Sequence, residues 1–308
     1  EGLSAYTKQV GTKRKLKDIK PYKGNGAAVD QIDRTAKLYI GGKQARPDGG
    51  YSHPVFDKSG ALIGHASVAN RKDLRNASEA ARSANGWSRT TGHLRAQILY
   101  YIAETLSARA DEFARKLDRM QGNTTGKSEV ETAIQRLFTY AAWADKFDGH
   151  VHGVPIRGVA LAMKEPVGTI GVLCPNEAPL LGMISCMSPA IAMGNRVILS
   201  ASEAYPLAAT DLVQVLETSD VPAGVINILT GPHDDIAAQM GGHMDIDAVW
   251  SFSAGRHSEV IERTSASNLK RTWVNNGRAR DWFAQSGAGR EFLDAATEVK
   301  NIWVPYGE

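Results

Sequence analysis

Apolar residues recur along this chain in two rhythms, and the clearest changes between them fall from Lys164 to Gly231. The run Thr169 to Cys174 is continuously apolar, too short for a helix, and bounded by Gly168 and Pro175, which predicts a buried parallel strand. From Pro179 the spacing becomes helical: Leu180, Leu181, Met183, Ile184, Met187 and Ile191 recur through the segment, and Gly194-Asn195 supplies the left-handed stop. Arg196 to Leu199 predicts the next strand. Ser202-Glu203 and Pro206 lead into a second helix that turns Leu212, Val213, Val215 and Leu216 to the sheet. Pro222-Ala223-Gly224 then brings the chain into a strand at Val225 to Leu229. Strand, helix, strand, helix, strand is the core of an α/β, doubly wound, parallel Rossmann-like sheet.

Upstream, Ala36 to Ile40 predicts a short strand before the Gly41-Gly42 turn, and Tyr51 to Ala66 alternates around Gly60 like a hairpin. From Arg71 the pattern is helical. Leu94, Ile98, Leu99, Ile102 and Leu106 repeat at three and four, and Val130 to Asp145 forms another helix. His150 to Met163 alternates about Arg157-Gly158 and predicts a second hairpin. Downstream, Asp234 to Gly241 predicts a short helix, Ala248 to Phe252 a strand, Glu259 to Ile261 part of a helix, and Lys270 to Val274 a strand. The chain closes on an apolar run from Val299 to Pro305.

The 308 residues, 43% hydrophobic and 22% charged, suffice for one large or two modest domains with a real core. A net charge of +3, with basic residues clustered only at Lys13 to Lys23, argues against a nucleic-acid binder. No apolar run reaches membrane length, and no signal peptide is visible, so a cytoplasmic protein with no membrane partner is expected. Cys174 and Cys186 lie in apolar runs without a nearby His, and they read as buried, reduced and inert. His150, His152 and His243 have no metal-ligand spacing with Cys or carboxylates. Gly168 and Gly171 form a G-x-x-G that turn glycines alone produce, and no spacing makes Glu177 and Asp245 an acid pair.

Several of these stretches together resemble the cofactor domain of the aldehyde dehydrogenase superfamily. They are E-P-V-G-T-I-G-V at Glu165 to Val172, P-x-x-x-P at Pro175 to Pro179, G-N-R-V-I-L at Gly194 to Leu199, V-P-A-G-V-I-N-I-L-T-G-P at Val221 to Pro232, and H-M-D-I-D at His243 to Asp247. Y-I-G-G-K at Tyr39 to Lys43, the Trp87-Ser88-Arg89 turn and S-N-L-K-R at Ser267 to Arg271 extend the resemblance. It implies a cofactor-type domain over residues 35–146 and 164–285, with a β-flap for oligomerisation over 147–163 and 290–308. Residues 1–34 are expected to be the tail of a preceding unit and a linker, since E-G-L-S-A-Y-T-K resembles F-L-D-A-A-T-E-V-K at Phe292 to Lys300. The pattern is similar to the degenerate second unit of the tandem, family 16 members.

The family's chemistry needs a Cys nucleophile, a Glu base, an oxyanion-binding Asn and a cofactor groove. Carried over residue by residue, Glu177 stands where the oxyanion Asn belongs, with Asn176 one place early, and Asn275 stands in place of the base. An amide cannot act as a general base. Of the cofactor positions, Pro175, Glu203 and Gly231 remain as vestiges, the ribose-binding lysine is Ser200, and Ser253 replaces the glycine that lets backbone approach the pyrophosphate. The loop carrying the nucleophile is missing by deletion. The expectation is therefore a non-catalytic scaffold with no cofactor of its own and no metal, belonging to a parent whose upstream catalytic unit oxidises aldehydes with NAD or NADP. The alternative is a retained nicotinamide-dinucleotide-binding part or a cofactor sensor. In the family, flap and tail strand pair across a two-fold interface, so a homodimer through both is expected, with Trp303 as a buried anchor and Pro305 ending the pairing.

Overall fold

A computed structural model describes residues 14–15, 35–155 and 157–306. The expectation for residues 1–34 thus lies outside the described residues, apart from strand β1 (Arg14–Lys15). Strands β2 (Leu38–Ile40) and β3 (Lys43–Ala45) form one hairpin, and β4 (Tyr51–Phe56) and β5 (Leu62–Ser67) another. Helices α1 (Arg71–Ser83), α2 (Gly92–Ala108), α3 (Ala110–Gln121) and α4 (Gly126–Trp143) follow. The flap strands β6 (His150–Gly153) and β7 (Gly158–Pro166) lead into β8 (Thr169–Leu173), α5 (Pro179–Ala192), β9 (Arg196–Ser200), α6 (Leu207–Glu217) and β10 (Ile226–Leu229). Next come α7 (Ala237–Gly242), β11 (Ala248–Ser251), α8 (Gly255–Ser265), β12 (Arg271–Val274), α9 (Glu291–Ala295) and β13 (Thr297–Pro305).

The main sheet has seven strands in the order β12-β11-β8-β9-β10-β2-β3. From β12 to β10 all pairs are parallel, as the alternation of apolar strands with helices requires. The far edge differs: β2 joins β10 antiparallel, so the sheet is mixed. The cause is local. Gly41 and Gly42 take φ of 62° and 76°, closing a hairpin, and the Gly41 amide donates to Asn227 Oδ1 at 2.9 Å, which fixes that hairpin beside β10. A Cβ at Gly42 would stand 2.9 Å from the Ala223 Cβ.

Every residue of β8, β9, β10 and β11 is buried, as is all of α5. In α2, Ile98, Leu99, Ile102 and Leu106 face this core as their spacing predicts, but Leu94 in the first turn is exposed. Beyond β12 the chain is tied back by aromatic rings. The guanidinium of Arg280 lies 5.2 to 5.9 Å from the ring centroids of Phe252, Trp273, Trp282 and Phe292, and it also pairs with Glu291.

The flap forms a separate sheet of order β13-β7-β6. Strand β13 pairs antiparallel with β7 along its whole length, from Thr297 opposite Pro166 to Pro305 opposite Gly158. Flap and tail strand thus pair with each other within one chain, because the turn into β13 from α9 delivers it directly alongside β7. The ladder ends at Pro305, and one further bond runs from the Tyr306 amide to the Arg157 carbonyl at 3.0 Å. Trp303 is 58% exposed on this sheet.

Candidate functional site

Strand order reverses between β8 and β11, so the crevice outside the carboxyl ends of these strands is where an α/β sheet of this kind offers a binding site. Loops after β8, β9, β10 and β11 converge there, and their side chains bond to one another. After β10, the Gly231-Pro232 turn places His233 so that its ring Nε2 meets the Ala201 carbonyl beyond β9 at 2.8 Å. Its Nδ1 meets Ser253 Oγ beyond β11 at 2.8 Å. Ser253 Oγ also lies 2.9 Å from Nδ1 of His257 in the first turn of α8, whose Nε2 is 2.9 Å from Asp234 Oδ1. Arg256 donates to both oxygens of Asp234, at 2.8 and 3.0 Å. Glu203 accepts from the His233 backbone N–H at 2.6 Å.

His233 and His257 are buried, and Ser253 and Glu203 nearly so. Burial lowers the pKa of the His233 ring, while the carboxylate of Glu203 opposes the shift. The Arg256 guanidinium, followed by His257, holds the Asp234 carboxyl down at about 2. The candidates Glu203 and Ser253 are therefore brought together, through a histidine that the sequence reading passed over. The spacing of Ser253 and His257, four apart across a helix start, was the available signal.

At the N-terminus of α5 the first amide donors need partners, and no side chain at the cap position supplies one. A carboxylate from α4 does so instead: Glu129 Oε1 accepts from Leu180 N and Leu181 N at 2.8 and 3.2 Å, and Gln121 Nε2 donates to Oε2 at 2.9 Å. Glu129 is 1% exposed. Burial raises its pKa, against the bonds from Gln121, Leu181 and Leu180 that favour the charged form. In the preceding loop Glu177 is exposed, and Ala178 takes φ of 48°. Asn176 Oδ1 accepts from Ser202 Oγ at 2.8 Å and from Ala204 N at 3.2 Å, stitching the loops after β8 and β9 together.

The remaining candidates serve the frame. Asn275 closes a turn, its Nδ2 donating to the Arg278 carbonyl at 2.9 Å and its Oδ1 accepting from Gly277 N at 3.1 Å. Ser200 Oγ is buried without a partner. Pro175 and Gly231 are buried, and a Cβ on Gly231 would lie 3.3 Å from Val68 Cα. Gly168 and Gly171 make room for side chains: an added Cβ would meet Asp247 Oδ2 at 2.1 Å and Met240 Sδ at 2.5 Å, respectively. Asp245 pairs with Arg82, not with Glu177. Burial pushes both thiols, Cys174 and Cys186, far above the ordinary range, and both are free. Among the described residues no group of three or more His, Cys, Asp or Glu could hold a metal ion, and no helix is long and apolar enough to cross a membrane. A hollow of about 360 Å³ beneath the flap is lined by His150, His152, Lys164 and Arg290, away from all these candidates.

The aldehyde dehydrogenase family pattern matches residues 34–288. The chain belongs to that family. It is 30% identical over 286 residues to an aldehyde dehydrogenase of Alternaria alternata, covering 90% of this chain and 56% of the relative. It is 27% identical over 255 residues to the cytosolic 10-formyltetrahydrofolate dehydrogenase of Homo sapiens, covering 78% of this chain and 28% of that protein. The fold matches the NAD+ complex of an aldehyde dehydrogenase from Bacillus cereus with a TM-score of 0.75 at 24% identity, over 78% of this chain and 50% of the other. The chain thus spans about half the length of these aldehyde dehydrogenases.

Proposed function

We propose that this chain is a non-catalytic aldehyde dehydrogenase unit that serves as a scaffold and dimerisation element, in a tandem protein whose upstream unit oxidises aldehydes with NAD or NADP. One observation carries the reading: the donors and acceptors that an aldehyde dehydrogenase would offer to cofactor and substrate are turned onto the chain itself. The crevice is spanned by His233 and Ser253, and the α5 amides are held by Glu129. The Glu203 carboxylate is bonded to the His233 backbone, and the lysine position holds the unpaired Ser200. A nicotinamide dinucleotide does not fit these residues. With buried thiols, an exposed Glu177 and a turn-forming Asn275, none of these positions offers the family's nucleophile, oxyanion donor or base. Assembly would use the flap sheet, whose outer strands β6 and β13 have no further strand beside them among the described residues and expose Val151, Ile302, Trp303 and Val304.

The test is purified chain incubated with aldehydes and either nicotinamide cofactor, with calorimetric titration of the cofactor alongside. No turnover above the blank and no micromolar binding are expected. Turnover that survives Cys174→Ser with Cys186→Ser sinks the proposal. Micromolar binding without turnover would favour a cofactor sensor instead. Light scattering on a chain lacking residues 299–308 should show loss of the dimer.

A further inference from the structure

Two histidines point the same ring atom at one hydroxyl. Nδ1 of His233 and Nδ1 of His257 lie 2.8 and 2.9 Å from Ser253 Oγ. The outer nitrogen of each ring faces a group that can only accept: His233 Nε2 meets the Ala201 carbonyl, and His257 Nε2 meets the ionised Asp234. Both Nε2 atoms must therefore carry hydrogen. If both rings are neutral, both Nδ1 atoms are acceptors, but the hydroxyl has one hydrogen to give. One of the two contacts would then set lone pair against lone pair, in a site where an unpaired polar group is costly. The bonds close only when one imidazole holds a second proton.

The surroundings decide which. His233 is 0% exposed and its outer partner is a neutral carbonyl, whereas the outer partner of His257 is a carboxylate. The charged and titratable groups around His257 include Asp234, Arg256 on its own helix, His233 across Ser253, and Glu203 beyond His233. Asp234 and Arg256 cancel, and Glu203 is left to balance one more cation. We propose that Asp234, His257, Ser253 and His233 form a proton-operated latch over the strand ends, in which His257 is an imidazolium that donates to Ser253 Oγ and Ser253 donates to His233. The latch ties the loops after β9, β10 and β11, and it closes only with that added proton. The proton count would hold equally in an active enzyme, so it stands apart from the scaffold proposal.

The experiment uses the full chain labelled with 15N-histidine, the rings assigned by His233→Gln and His257→Gln. At pH 7.5 the His257 ring should show hydrogen on both nitrogens and His233 the neutral form with hydrogen on Nε2. A neutral His257, or a cation on His233, overturns the assignment. In Asp234→Asn, at an exposed side chain, the His257 ring at pH 7.5 should show one hydrogen instead of two; a ring that keeps both overturns the role of the carboxylate. Amide exchange at residues 233–236 and 253–257, corrected for its intrinsic pH dependence, should rise about tenfold or more as His257 loses its second proton. Unchanged protection would show that the bonds do not hold the loops, and the latch falls.

Discussion

Strands β9 and β13 carry similar apolar triplets with opposite fates. Val197, Ile198 and Leu199 in β9 are each 0% exposed, whereas Ile302, Trp303 and Val304 in β13 are 38%, 58% and 44% exposed. The difference lies in what surrounds them. Strand β9 has a parallel neighbour on each side, with α5 and α1 packed against it, while β13 has β7 on one side and no strand on the other among the described residues. A run of apolar residues thus specifies a strand, but topology decides whether that strand becomes core or surface.

Tryptophan truncation breaks this comparison most sharply. Trp250 in β11 is 1% exposed and its ring packs against Trp273 and Phe292, so Trp250→Ala should cost about 3–5 kcal/mol in urea unfolding. Trp303→Ala should change the stability of an isolated chain by less than ~1 kcal/mol, since half of its surface already meets water. If Trp303→Ala costs as much as Trp250→Ala at every protein concentration, the flap is core after all. A cost that grows with concentration would instead mark an anchor between chains.

Acid should find a weakness that mutation of the apolar core would not. His53 in β4 is 2% exposed, and both of its ring nitrogens lack a partner. Burial, with His65 nearby, lowers its pKa from 6.5 to about 4. Protonation is therefore harder in the folded state than in the unfolded chain. Above pH 6.5 protonation takes nothing from stability, and as pH falls from there to about 4 the unfolded chain gains a proton that the folded one refuses. Stability should decline by roughly 3 kcal/mol over that window and show no further loss from this ring below it. The difference between wild type and His53→Leu in denaturant midpoints at pH 7 and pH 4 isolates the effect; parallel midpoints would show that the ring is not the cause.

The buried strands β8 to β11 were legible because apolar runs bounded by Gly and Pro leave little choice, and helices α1, α2, α4, α5 and α6 followed from their spacing, whereas α3 carried no expectation and α9 lies in residues expected to be β-flap. The antiparallel edge was not, since it depends on where the Gly41-Gly42 hairpin docks, which no local pattern records. The residues at Glu177, Ser200, Ser253 and Asn275 could be compared with the family motifs one position at a time. What fills the crevice could not: Glu129 reaches Leu180 across 51 positions, and His233 reaches Ala201 across 32. Ser253 read as added bulk, yet its hydroxyl is the centre of a four-residue chain, because hydrogen bonds between loops exist only once the sheet has aligned their strands.

The smallest expected effect gives the finest test of the flap. Lys300 in β13 reaches Glu165 in β7 at 3.0 Å, with side chains 57% and 43% exposed. In water such a pair gains little, because solvent screens the charges and two long side chains lose freedom to meet. Lys300→Met and Glu165→Gln, singly and together, should therefore shift unfolding free energy by no more than about 0.5 kcal/mol, with a coupling near zero at 0.5 M salt. The same pair covered by another molecule would behave differently, since removing one partner would strand the other charge away from water. A coupling well above 1 kcal/mol that persists in salt would mean that this sheet is enclosed in solution, and β13 would then belong with β9 instead of opposite it.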